Sequence, residues 1–193
     1  MDKLLTVVIP SYNVEKFLNQ TLDSFVCDEA VMKKFEVIVV DDGSKDNTAK
    51  IGKEYADKYP DTFRVISKEN GGHGSTINCG IRNAVGKYFK VVDGDDWVNT
   101  ADFVKLVEDL EKTESEYVFT NYNEYYDDVN RQKAVDFPQF KDGTEYDFAD
   151  VANKVYIPMH ALVIKTSVLK DNNIVIDEKC FYVDVEYVMF PVP

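Results

Sequence analysis

Three carboxylates stand within four residues at Asp93-Gly94-Asp95-Asp96, and a β-branched apolar run ending in Val91-Val92 leads into them. The run reads as a strand, and the glycine as a tight turn that presents Asp93, Asp95 and Asp96 at nearly one point. Like charges that close repel unless a proton or a cation sits among them. An all-oxygen cluster suits a hard divalent ion, Mg²⁺ or Mn²⁺, bound by a few carboxylates and completed by substrate phosphates. An isolated D-x-D-D is equally a solvated acidic turn, so the residues that converge with it must decide.

Several groups are candidates for that convergence. In Asp41-Asp42-Gly43-Ser44 a strand turns toward a helix, where a carboxylate either accepts from a ring N–H or ribose hydroxyl or simply caps the helix. Tyr12 is placed to stack on a base, or to pack as a rim aromatic. Lys68-Glu69-Asn70-Gly71-Gly72-His73-Gly74-Ser75 is a Gly-rich loop before a helix, so the Gly72 amide and its neighbours could approach phosphate; it matches neither G-x-G-x-x-G nor a P-loop. His73 and His160 are the only histidines. His73 is within reach of a substrate at the loop, and a zinc site from two such distant residues is not expected. Phe181–Tyr187 alternates, which predicts Asp184 and Glu186 on one face and makes either a general-base candidate.

The elements that position these groups alternate between strand and helix. Leu4–Pro10, Phe35–Val40, Phe63–Ser67 and Lys87–Val92 are apolar, β-branched runs of the kind buried on both faces. Helices are expected after Asn13, after Ser44 to about Tyr59, over about Ser75 to Val85, and after Thr100, with Asn13, Ser44 and Thr100 as N-caps. The alternation implies a mostly parallel sheet with right-handed crossovers, and ligands bind such sheets outside the carboxyl ends of the strands. Three of the four strands end there in polar signatures, at Pro10–Asn13, Asp41–Ser44 and Asp93–Asp96. Beyond residue 115 a strand at Tyr117–Thr120 leads to an aromatic, acidic segment (Tyr122, Tyr125, Tyr126, Asp127, Asp128). Loop and hairpin follow over 129–150, then a strand at Ala161–Ile164 and a short helix from Thr166.

Composition narrows the function. The 193 residues fit one domain, and 45% hydrophobic and 13% aromatic residues suffice for a packed core. A net charge of −13 argues against nucleic-acid binding, and a polyanionic substrate would need a metal as mediator. Cys27, Cys79 and Cys180 are odd in number and form no C-x-x-C pair, which predicts a reducing, cytoplasmic setting with neither disulfides nor a thiolate zinc site. No membrane span or signal peptide is visible. The apolar run Val188–Pro193 simply stops, predicting that further elements follow it in a longer protein.

Taken in order, Val8-Ile9-Pro10-Ser11-Tyr12-Asn13, Val39-Val40-Asp41-Asp42-Gly43-Ser44, Asn70-Gly71-Gly72 and Asp93-Gly94-Asp95-Asp96 resemble the inverting, nucleotide-sugar-dependent glycosyltransferases of family 2. The likeness is strong over about 4–110 and weaker over 111–193. It implies a single α/β domain of the Rossmann-like A-type (GT-A) fold, a mostly parallel central sheet flanked by helices. Residues 1–112 would form the nucleotide-binding half and 113–193 part of the acceptor side. By the same resemblance Pro10, Tyr12 and Asp42 hold the uracil of a UDP-sugar, Asp93 and Asp95 contact the donor, Asp95 and Asp96 bind Mn²⁺ or Mg²⁺, and Asp184 is the base. The acceptor would be a glycan or lipid-linked hydroxyl in surface polysaccharide synthesis, in the cytoplasm or against the inner face of the membrane. The resemblance leaves oligomeric state open. Two departures stand out: the family's Arg-Asn pair is Ile77-Asn78 here, shifting diphosphate neutralisation to the metal or Lys68, and its Glu-Asp pair is Val183-Asp184. The rivals are a metal-dependent phosphatase or nucleotidyltransferase, whose nucleophile or basic loop after the first strand is missing, and a non-catalytic nucleotide- or carbohydrate-binding module.

Overall fold

A computed structural model describes residues 3–126, 131–151 and 154–191. Four strands run parallel: β1 (Leu5–Ser11), β2 (Phe35–Asp41), β3 (Phe63–Ser67) and β4 (Tyr88–Val91). The chain then adds β5 (Tyr117–Phe119), a separate hairpin of β6 (Tyr122–Tyr126) and β7 (Arg131–Val135), and β8 (Leu162–Lys165). Among the described residues the main sheet has six strands in the order β3-β2-β1-β4-β8-β5, with β8 antiparallel to both neighbours. This is the α/β fold with a mostly parallel sheet that the sequence predicts.

The continuous apolar runs are explained by cover on both faces. Leu5, Val7 and Ile9 of β1 and Phe35, Val37 and Val39 of β2 pack with α1 (Leu18–Asp23) and, later in the chain, α5 (Thr100–Leu110), through Leu18, Leu22, Phe103 and Val107. Their neighbours Val8, Ile38 and Val40 face the other way, onto α4 (His73–Asn83) and α7 (Thr166–Asp171). Among the described residues the other α-helices are the short α2 (Glu29–Met32), α3 (Thr48–Lys58), α6 (Phe148–Val151) and α8 (Val183–Met189). Among the described residues no helix is long and apolar enough to cross a membrane.

Three expected caps are corrected. Asn13 has φ +54 and caps nothing; its side chain accepts from Lys45 N, while its own N–H donates to Ser44 Oγ. Asn13 and Ser44 therefore tie two loops together, and α1 and α3 begin later, at Leu18 and Thr48. The cap of α5 is Asn99, whose Oδ1 accepts from Ala101 N and Asp102 N, one residue before Thr100. Asp127 and Asp128 of the acidic segment lie outside the described residues, as do Val192 and Pro193 of the terminal run.

Candidate functional site

The carboxyl ends of β1, β2 and β4 meet at one rim. Ser11 pairs with Asp41, Asp42 N donates to Ser11 O at 2.9 Å, and Gly94 N donates to Pro10 O at 3.2 Å. Gly94 is needed there because a Cβ would stand 2.9 Å from Val14 Cγ2 and 3.0 Å from Pro10 O. Thr21 Oγ1 donates to Gly94 O at 3.0 Å and holds the turn from the α1 side. Tyr12 projects from this rim, 49% exposed. Pro10, expected to touch a ligand, is instead buried in β1, and its part is to dock the acidic turn with its carbonyl.

Asp95 and Asp96 stand exposed at the turn. Asp96 keeps an open edge, yet the protein crowding its carboxyl, followed by the charges of Asp93 and Asp95, pushes its pKa up to about 6 against the pull of Lys90. A cation would relieve that crowding. Among the described residues no three His, Cys, Asp or Glu side chains converge tightly enough to hold a metal by themselves. Two carboxylates are nonetheless the share that Mg²⁺ takes from a protein when phosphates and water supply the rest, and Asp95 with Asp96 fits that requirement.

The Gly-rich loop is organised around an anion, but the anion belongs to the protein. Asp42 is 2% exposed. Its Oδ1 accepts from Lys68 Nζ at 2.7 Å and Gly71 N at 3.0 Å, and its Oδ2 from Gly72 N at 2.8 Å. Lys68 spends its other donors on Glu69 O and Ser75 Oγ. Asp42 therefore does not present its carboxylate to a base, Lys68 is not free to neutralise a diphosphate, and the Gly72 amide is not free for phosphate. All three were expected to meet a ligand; together they form the clasp that shapes the loop beside it. Asp41, also buried, accepts from Ser44 N.

The second half of the chain is stitched onto the loop. Asn78 Nδ2 donates to Ile176 O at 2.8 Å, Ile176 N donates to Asn78 Oδ1 at 2.9 Å, and Lys179 N donates to Gly71 O. Ile77 is fully buried in the core. From this joint the chain enters α8 through Tyr182, whose φ is +65. Phe181–Tyr187 is thus helical from Val183 rather than an extended strand, and Asp184 and Glu186 do not share a face. Glu186 Oε2 accepts from Asp177 N, whereas Asp184 lines a cavity of about 280 Å³ together with His73, Asp93, Pro158, Met159 and His160.

Both histidines are therefore in one cavity, which their separation in the chain concealed. His73 Nε2 lies 2.9 Å from Asp93 Oδ1. Burial alone would lower the His73 pKa, but the bond to Asp93 and the charges of Asp93, Asp184 and Asp95 outweigh it and hold it above the ordinary histidine value. His160, in a 3-10 turn (Met159–Ala161), is held below that value by partial burial and by Lys90, against Asp93, Glu124 and Asp184. Sequence reasoning missed Lys90, which is 3% exposed and donates to His160 O at 2.6 Å; a lysine between two strand residues that face the core, Phe89 and Val91, was the available signal.

Comparison with known proteins agrees with this geometry. The profile of glycosyl transferase family 2 matches residues 6–172. The uncharacterized glycosyltransferase EpsJ of Bacillus subtilis is 38% identical over 118 residues, 61% of this chain and 33% of that protein. The minor teichoic acid biosynthesis protein GgaB, also of B. subtilis, is 33% identical over 111 residues, 58% of this chain and 12% of that protein. The crystal structure of S. aureus TarS 1-349 superposes with a TM-score of 0.78 at 27% identity, covering 94% of this chain and 52% of that one. The same TarS segment is known in complex with UDP-GlcNAc. The chain spans about half or less of the length of these relatives.

Proposed function

The chain belongs to glycosyl transferase family 2, and on that premise we propose that the protein it spans moves a sugar from a nucleotide-sugar, a UDP-sugar, to a hydroxyl of a glycan or lipid-linked acceptor in surface polysaccharide synthesis. One observation carries this reading. Asp184, delivered by α8, lines the same cavity as Asp93 of the turn after β4, so a base and the acidic donor-side turn face one space. Residues 1–112 supply the donor side and 113–193 part of the acceptor side. TarS, with its UDP-GlcNAc complex, is the precedent for a uridine nucleotide; GgaB is the precedent for a polymer pathway.

The chemistry is a single in-line displacement. Asp184 takes the proton from an acceptor hydroxyl, whose oxygen attacks the anomeric carbon. The bond from that carbon to the diphosphate oxygen breaks on the opposite side, inverting the centre, and the electron pair leaves with the nucleoside diphosphate. Asp95 and Asp96 would hold a divalent cation, Mn²⁺ or Mg²⁺, which when bound would supply charge against the leaving diphosphate. Tyr12 stacks on the base, Asp93 and Asp95 face the sugar and ribose, and His73, biased toward its charged form, brings to the rim the positive charge that Lys68 cannot. The workplace in this reading is the cytoplasm, at the inner face of the membrane if the acceptor is lipid-linked.

Asp184→Asn in the full-length protein tests the base. General-base loss costs about 10²–10⁴-fold in rate, so transfer from UDP-GlcNAc should collapse while calorimetric UDP affinity stays within a few-fold. Undiminished transfer would reject Asp184. A thermal-shift panel of nucleoside diphosphates and nucleotide sugars, with and without Mn²⁺, tests the donor and the cation together.

A further inference from the structure

β4 and β8 pair only at Tyr88 with Lys165 and Phe89 with Ile164. One residue further on the ladder stops, while β4 continues to pair with β1 through Lys90 and Val91. The two strands part here, and Asp93 beyond β4 and His160 ahead of β8 become opposite walls of the cavity. Lys90 bridges the fork: its buried ammonium donates to His160 O at 2.6 Å, in place of the backbone partner that the parted strands no longer provide. The backbone of the 3-10 turn is pinned, yet the His160 side chain stays exposed toward the cavity. The Tyr122 ring of β6 stands edge-on to the imidazole, with centroids 4.5 Å apart. Among the described residues neither ring nitrogen has a hydrogen-bond partner. An imidazole fixed at its backbone, braced on one side and open to the cavity at both nitrogens is free to meet a polar ligand.

We propose that His160 hydrogen-bonds the acceptor, taking the hydroxyl next to the one that Asp184 deprotonates, and that Lys90 is the residue that positions it. The acceptor half rests on the glycosyl-transfer reading above; the Lys90 half does not. The class of ligand is a sugar with neighbouring hydroxyls, one for Asp184 and one for His160, which line the same cavity. The groups facing the imidazole are Lys90 of β4, Asp93 after it, Tyr122 and Glu124 of β6, and Asp184 of α8. Partial burial and the Lys90 charge disfavour the imidazolium and the three carboxylates favour it. Net, the ring is left neutral near pH 7, able both to donate and to accept.

The experiment is proton NMR of the imidazole C2–H signals of the 193-residue chain, which has only two histidines; His73→Gln assigns them. In the wild-type chain with UDP and Mg²⁺, methyl α-glucopyranoside should shift the His160 signal and leave His73 unmoved. In Lys90→Met the His160 midpoint should move upward and the glycoside response should disappear. Lys90→Gln keeps an N–H for the His160 carbonyl without the charge; its midpoint should also rise, but the glycoside response should persist. A His160 signal indifferent to the glycoside overturns the acceptor role, and a His160 midpoint unmoved in both variants overturns the Lys90 role. Phosphorus NMR of the same samples reads UDP binding: a chain that binds no UDP counts against the uridine donor separately and leaves the Lys90 comparison intact.

Discussion

Gly74→Ala is the sharpest probe of how the two halves of the chain are joined. A Cβ at Gly74 would lie 2.0 Å from Asp177 O and 3.0 Å from Ile176 Cγ2. The first distance is about 1.4 Å short of ordinary contact at 3.4 Å, so α4 or the 176–179 segment must retreat. That segment is clamped by Asn78 at Ile176, by Gly71 O at Lys179 N and by Glu186 at Asp177 N. Alanine in a helix gains about 1 kcal/mol over glycine. Overpacking a tight site costs about 1–3 kcal/mol, and each clamp lost costs about 1 kcal/mol more. The balance is a net loss of about 2 kcal/mol, which for a chain of this length lowers Tm by about 4–8 °C. Asp184 lies seven residues beyond Asp177, and an ångström of misplacement at a reacting group can cost about 100-fold in rate. Thermal melts of the chain, UDP calorimetry and transfer assays of the full-length protein read the three quantities. We expect a lower Tm, a transfer rate down about 100-fold, and UDP affinity within about threefold because the rim of β1, β2 and β4 is untouched. An unchanged Tm with unchanged transfer would refute the joint, and UDP affinity falling in step with rate would show that it serves the donor side instead.

Lys68→Met strands the buried Asp42 carboxylate with only amide and hydroxyl partners; removing one member of such a pair costs about 3 kcal/mol. Urea unfolding should register that loss, with Asp42→Asn in the same chain recovering part of it; a Lys68→Met chain as stable as wild type removes the clasp. Tyr12→Ala should weaken UDP by about 1–2 kcal/mol, the scale of base–aromatic stacking, with Tm unchanged since the ring is half-exposed; calorimetry of both proteins decides it. For pH, the folded-state pKa of Asp96 is about 6 against an ordinary 3.8, so the metal-free folded chain holds a proton that the unfolded chain has released. That stability is present below about pH 4 and is lost as pH climbs through 6. His73, raised above 6.5, contributes stability below that value and loses it as pH rises through its folded-state pKa. Calorimetric Tm in chelator should therefore fall with rising pH in two stages, Asp96→Asn removing the lower and His73→Gln the upper. Mn²⁺ at pH 7 should raise Tm in the wild type but not in Asp96→Asn.

Much of the frame was legible because the parallel strands are covered on both faces. Phe63–Ser67 coincides with β3 residue for residue, and the runs of β1, β2 and β4 predict their rim. Loop roles were less legible, for a definite reason. Asn, Ser and Thr cap helices with the same atoms they use to bridge loops, and only the adjacency of the 13–15 and 44–48 segments commits Asn13 and Ser44 to each other. The 181–187 stretch alternates as a strand would, but it also carries Val183 and Tyr187 four apart, the spacing of a helix face, and both are buried. The helical period won because α8 packs that face into the core shared by α4 and α7.

The harder misreading concerns charge. Lys68 and Gly72 have the types of a phosphate cradle, yet a cradle of amides and an ammonium binds whichever anion is nearest, and Asp42 is already inside it. Lys90 is likewise committed, to a carbonyl. An acidic chain that locks both of these lysines into its own architecture leaves His73 as the cavity-lining group biased toward positive charge. A polyanionic ligand is then favoured by a cation of its own and by the charged histidine. That is why the pH and metal dependences argued above should be coupled: Mn²⁺ at Asp95 and Asp96 weakens the pull of Asp95 on His73, so the His73 midpoint should fall when the metal binds, and a midpoint indifferent to the metal would separate the two groups.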